Sequence, residues 1–120
     1  MYEIIFYEDV HGNCPVGDLI SKLDKTAERN KDARIQLKQI TFQIDLLKEI
    51  GTRCSSEYVK HIRGDIWELR PGDNRILLFS WENNKIVLLH SFRKTTNETP
   101  VRQIMKADRE ITDWVKRYGQ

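Results

Sequence analysis

Cysteine is scarce in this chain of 120 residues, with Cys14 and Cys54 the whole supply. Two thiols so far apart build neither a disulfide framework nor a zinc knuckle, so they read as small, half-buried side chains in a reducing cytoplasm. Long apolar runs are missing too, and nothing approaches the roughly 20 residues that span a bilayer. The opening MYEIIFYEDV is acidic and lacks the basic stretch of a secretory signal. Glycine is thin, and none of it forms a phosphate-cradling loop. No metal-ligand cluster or nucleophilic triad stands out either. An enzyme built from this inventory works with acid, base and cationic side chains alone, with no cofactor and no metal expected.

What is present describes one ordinary domain spanning residues 1–120, with 39% hydrophobic and 32% charged residues. The net charge of +2 conceals an asymmetry. Residues 1–57 hold eight basic against ten acidic side chains, and residues 58–120 hold twelve against eight. The second half is therefore the side that suits an anionic partner.

The periodicities predict an α+β fold. Ile4 to Tyr7 is β-prone, and His11-Gly12-Asn13 turns the chain. Pro15 opens a helix carrying Leu19, Ile20 and Leu23. After the break at Asn30-Lys31-Asp32, a second helix carries Ile35, Leu37, Ile40, Ile44, Leu47 and Ile50, stopped by Gly51. So short a break predicts an antiparallel helical hairpin. Strands follow at Tyr58–Ile62, Ile66–Arg70, Arg75–Trp81 and Ile86–Phe92, separated by Arg63-Gly64, Pro71-Gly72-Asp73-Asn74 and Asn83-Asn84. Thr99 then reads as the N-cap, and Pro100 as the first residue, of a last helix through Ile104, Ala107, Ile111, Trp114 and Val115.

The turns suggest a register for the meander. Setting Arg70 opposite Arg75, and Glu82 opposite Lys85, puts Trp67, Leu69, Ile76, Leu78, Val87 and Leu89 on one face, to be covered by the hairpin. The other face then collects Glu68, Arg70, Arg75, Leu77, Phe79, Leu88, His90 and Phe92, with Lys94 on the same parity, and its apolar part needs the last helix as cover. Two arginines facing each other repel, Glu68 offsets part of that, and a bound phosphate would offset the rest. Each member also has a plainer reading. Arg70 and Arg75 can be solvated strand ends, His90 a satisfied core histidine, and Lys94, after Arg93, an edge charge that discourages aggregation.

The string Trp67-Glu68-Leu69-Arg70, followed by Arg75-Ile76-Leu77 and by Leu88-Leu89-His90-Ser91-Phe92 with Lys94, Thr96 and Pro100, resembles the phage-derived HigB branch of the RelE/ParE toxin superfamily. The likeness runs from about Lys60 to Ala107. It implies a RelE-like fold and a metal-independent, ribosome-dependent mRNA endoribonuclease that blocks translation. The implied partners are the ribosome, its message and a cognate HigA-like helix-turn-helix antitoxin. The reaction would be attack of a ribose 2′-hydroxyl on its own 3′ phosphate. By position, Arg75 matches the phosphate-stabilising arginine, Arg70 a second phosphate or backbone contact, and Lys94 a phosphate contact or acid. Glu68 and His90 join them as catalytic candidates, with Lys60 and Arg93 as RNA-binding ones. Thr95 stands where the family pattern has a second lysine. The rival expectation on the same fold is a ParE-like toxin that acts on DNA gyrase by protein contact.

Overall fold

A computed structural model describes residues 1–119. In chain order these form β1 (Glu3–Phe6), α1 (Pro15–Thr26), α2 (Lys31–Ile50), a 3-10 turn (Gly51–Arg53), β2 (Val59–Arg63), β3 (Ile66–Leu69), β4 (Asn74–Trp81), β5 (Lys85–Arg93) and α3 (Val101–Tyr118). The sheet order is β1-β5-β4-β3-β2. The meander β2 to β5 is antiparallel, and β1 adds to it in parallel beside β5, with Ile4 opposite Ile86. This is the α+β architecture expected, and it is compatible with a RelE-like fold. Among the described residues, no helix is long and apolar enough to cross a membrane.

Local chemistry explains the boundaries. Pro15 sits at the start of α1, where its missing N–H costs no helical bond. Asn30 caps α2 by accepting the Ala33 N–H at 3.0 Å. Gly51 ends α2 with φ 62°, and a Cβ there would stand 2.7 Å from the Tyr2 ring, so only glycine fits. The first residue after the Thr99-Pro100 pair is where α3 begins. Thr99 is not its cap, because the threonine hydroxyl is spent on another element.

Two cores sandwich the sheet. The hairpin covers Leu69, Ile76, Leu78, Ile86 and Leu88 with Val16, Leu23, Ile40 and Leu47. On the other face α3 covers Ile66, Leu77, Phe79, Val87 and Leu89 with Ile104, Ala107 and Trp114. Each fully buried Leu or Ile contributes roughly 1.5–3 kcal/mol, so both helical layers are strongly held.

The register corrects part of the sequence expectation. Trp67 opposes Leu78 and Leu69 opposes Ile76, as expected. Between β4 and β5 the expected pairing holds from Arg75↔Phe92 to Leu77↔His90. It then slips at a bulge, so that Leu78 meets Leu88 and Trp81 meets Lys85. The extra residue reverses the parity of β5 beyond it: Leu88 faces the hairpin, while Val87 and Leu89 face α3. Glu82 leaves the ladder, adopts φ 58° in the turn, and pairs with Lys85 there at 2.5 Å.

Candidate phosphate-binding site

The slip spares the end of the sheet where the charged residues lie. On the α3-facing side, Lys60, Glu68, Leu77 and His90 are successive cross-strand partners. Arg70 follows β3 by one residue, its backbone N–H donated to the Tyr58 carbonyl at 2.9 Å. Gln43 of α2 holds the Arg70 carbonyl at 3.1 Å. The chain direction of Arg70 is thus set from both sides before its side chain turns inward.

Both guanidinium groups converge on one carboxylate. Glu68 is only 3% exposed, and its Oε1 lies 3.7 Å from Arg70 Nε and 3.9 Å from Arg75 Nε. These are ion pairs without a proper hydrogen bond, since a charge-assisted one closes to about 2.7–2.9 Å. Arg70 Nε is buried with no hydrogen-bond partner among the described residues. Arg75 turns Nη1 onto the Gly72 and Asn74 carbonyls at 2.7 and 2.8 Å. Burial, and after it the neighbouring Arg70 charge, push the Arg75 pKa down, and the carboxylates of Glu68 and then Asp73 oppose this more weakly. The guanidinium still stays charged at any physiological pH. The local sign is therefore positive and under-compensated, which is the condition that favours an added anion.

Over this cluster runs the β5–α3 connection. A small recess is lined by Glu68, Arg75, Phe92 and Lys94 with residues up to Pro100. Thr99 donates its hydroxyl to Glu68 Oε2 at 2.7 Å, tying the connection to the carboxylate 31 residues away in sequence. Lys94 is exposed at the rim, its backbone N–H held by the Asp73 carbonyl at 2.8 Å. Its ammonium is free to move on a long stem.

The remaining sequence candidates separate from this group. His90 is 1% exposed, with Nδ1 2.5 Å from Glu110 Oε1 and Nε2 2.8 Å from Gln103 Oε1. Both ring nitrogens are occupied under α3, so His90 anchors that helix and presents nothing to a ligand; the core-histidine reading is the one the geometry favours. Lys60 is exposed on the outer strand opposite Glu68. Arg93 lies on the hairpin side of the sheet end, 3.9 Å from Asp73 Oδ2, and does not join the arginine pair. Thr99 is the contributor that spacing could not reveal, because its motif is also that of a helix cap. Among the described residues, no group of three His, Cys, Asp or Glu side chains gathers to hold a metal ion.

A second polar cluster fixes α3 at the far end. Tyr7 donates to Asp113 Oδ2 at 2.6 Å, and Arg117 clasps the same carboxylate at 2.7 Å while reaching the Glu8 carbonyl at 2.6 Å. Hydrogen bonds from Arg117 and Tyr7 hold the Asp113 pKa below its ordinary value, while burial and Asp113 push that of Tyr7 well up.

A family model described as Phage derived protein Gp49-like (DUF891) matches residues 20–112. That span includes α2, the whole meander and most of α3, and so every residue of the arginine cluster. No curated protein matches the chain.

Proposed function

The chain belongs to the Gp49-like family of phage-derived proteins, and we propose that it is the toxin of a toxin–antitoxin pair, an mRNA endoribonuclease of the HigB-like kind. The observation that carries this reading is the convergence of Arg70 and Arg75 on Glu68, with a buried guanidinium N–H left without a hydrogen-bond acceptor. A phosphodiester supplies what is missing there, negative charge beside the two guanidinium groups and Lys94.

The chemistry follows from those groups. A ribose 2′-oxygen attacks the adjacent 3′ phosphorus, loses its proton to a base, and expels the 5′ oxygen, which takes up a proton. A cyclic phosphate and a 5′-hydroxyl result. Negative charge grows on the non-bridging oxygens in the transition state, and fixed guanidinium donors stabilise it without reorganising. Arg75, braced by two carbonyls, is the preorganised member, and Arg70 is the second phosphate contact. Glu68 orients both. Lys94, on its mobile stem at the rim, serves as a further phosphate contact or as the proton donor. Lys60 and Arg93 track the RNA backbone on either side. The proposed partners are translating ribosomes with their message and a helix-turn-helix antitoxin.

Primer extension on a defined transcript, with and without ribosomes, tests this directly. Cleavage that disappears in Arg75→Ala supports the reading. Intact transcripts together with collapsing DNA supercoiling would instead select the gyrase-directed, ParE-like alternative.

A further inference from the structure

The arginine recess has a larger neighbour on the opposite face of the sheet. Beneath the α1–α2 turn lies a cavity of about 560 Å³, within the usual range for small-molecule sites. Strand alternation makes β4 and β5 serve both sides. Arg75 turns to the arginine recess, while Asn74 and its cross-strand partner Arg93 turn to the larger one. Phe92 borders both. Consecutive residues on one strand therefore open onto two sites, and a chain draped over this end of the sheet meets them in succession.

The lining of the larger cavity sorts by chemistry. Leu19, Leu23, Ala33 and Phe92 supply apolar surface. Lys22 and Arg93 are exposed cations at its edge, and among the described residues the only ion pair of Arg93 is the long 3.9 Å contact to Asp73. Between these lies an ordered polar chain. Asn74, 2% exposed, donates to Gln36 Oε1 at 3.0 Å, and Gln36 Nε2 donates to Asp32 Oδ2 at 2.6 Å. Each amide in this relay has spent a donor on the next residue. The relay therefore ends in a carboxylate, and what it offers a ligand is mainly acceptor oxygen. Aliphatic walls with one aromatic ring, Phe92, an acceptor-rich edge and flanking cations together suit a nucleobase on a phosphate-bearing chain.

We propose that this cavity is a nucleotide subsite: it takes the base of the RNA nucleotide next to the phosphate held by Arg70 and Arg75, and prefers bases whose edge carries amino N–H donors. The assignment rests on the nuclease reading only for the source of the nucleotide. It adds a specificity element on the hairpin face, away from the arginine pair.

Titration of isotopically labelled Arg75→Ala protein, observed by amide NMR, tests it with GMP, AMP, CMP, UMP and inorganic phosphate as probes. The expected result is shifts centred on Thr26, Gln36 and Ser91, with the amino-bearing nucleotides binding tighter than UMP. Gln36→Leu and the exposed Lys22→Glu should each weaken binding by about threefold to tenfold, the scale of one lost polar contact. Shifts that phosphate alone reproduces, or that both substitutions leave unchanged, overturn the subsite, as does their absence at tens of millimolar nucleotide. With otherwise wild-type protein, Gln36→Leu should redistribute cut positions along a transcript. Cleavage at unchanged positions overturns the subsite and leaves the nuclease reading standing. Nucleotide binding by a protein that cuts no RNA does the reverse.

Discussion

Two buried polar clusters sit on the same side of the sheet, and they are finished to different degrees. Around His90 both ring nitrogens are engaged beneath α3, by Glu110 at 2.5 Å and by Gln103 at 2.8 Å. Around Glu68 the contacts stretch to 3.7 and 3.9 Å, one guanidinium N–H has no partner among the described residues, and two like charges converge on one buried carboxylate. Closure of the first kind rigidifies a core. Incompleteness of the second kind costs stability unless a ligand completes it. The contrast marks the Glu68 cluster, rather than the His90 cluster, as the candidate for binding a ligand. Burial is common to both, and satisfaction separates them.

The largest effect that would break this contrast is on activity. Arg75→Ala should lower RNA cleavage by about 10²–10³-fold, the scale for losing one transition-state donor. Arg75→Lys should recover little of it, because the ammonium lacks the fork that spans carbonyls and phosphate. Cleavage rates on a defined transcript, with circular dichroism confirming the fold, check both. A variant that keeps full activity would move the arginine pair into the structural class.

His90→Ala should act on stability instead. It leaves Glu110 buried without its partner, so about 3–5 kcal/mol of unfolding free energy is expected to be lost. Cleavage per folded molecule should change little. Urea denaturation paired with active-site titration separates the two quantities. A folded His90→Ala protein that has lost cleavage would place the histidine back among catalytic candidates.

The clamp of Tyr7, Asp113 and Arg117 gives a smaller effect and a pH signature. Tyr7→Phe should cost about 1 kcal/mol by thermal or urea unfolding. Because the folded pKa of Asp113 is depressed, its contribution is present above the ordinary carboxylate value of 3.8 and fades as pH falls through the lower folded value. Because that of Tyr7 is raised, its contribution is present below the ordinary 10.0 and fades as pH climbs toward the higher folded value. Unfolding midpoints across that range should fall at both ends, and less so in Tyr7→Phe. Equal slopes in the two proteins would remove the clamp from the account.

Lys60→Ala tests the outermost layer and should do least. An exposed lysine that only touches RNA backbone contributes about one unit to the salt slope of binding, with no change in cut position. Binding to a non-cleavable RNA at several salt concentrations measures it. An unchanged slope would confine the RNA path to the arginine end and the hairpin face.

Much of this architecture is readable in the letters alone. Helical spacing from Ile35 to Ile50, with Asn30 before it and Gly51 after, marks α2 because capping and periodicity are local properties. The Pro71–Asn74 turn places Trp67 opposite Leu78, and the parity of β4 then puts Glu68, Arg75 and Leu77 on one face. The bulge between β4 and β5 left no local mark, since Val87, Leu88 and Leu89 are interchangeable as hydrophobes. Which of them faces which layer follows from the register slip beside Leu77 and Leu78. Thr99 shows the same limit, being equally suited to capping a helix and to binding a carboxylate.

Sequence by itself determined the elements, their order, and the gathering of Glu68, Arg70, Arg75 and Lys94 at one end of a sheet, because backbone periodicity and turn chemistry act within a few residues. Tertiary structure alone decided that Glu68 lies between the arginines, that His90 is sealed by Glu110 and Gln103, and that Asn74 and Arg75 open onto different recesses. Those outcomes depend on side chains brought together from distant segments. Whether a charge ends up paired, buried or unsatisfied is a property of the packed neighbourhood, and no spacing rule contains it.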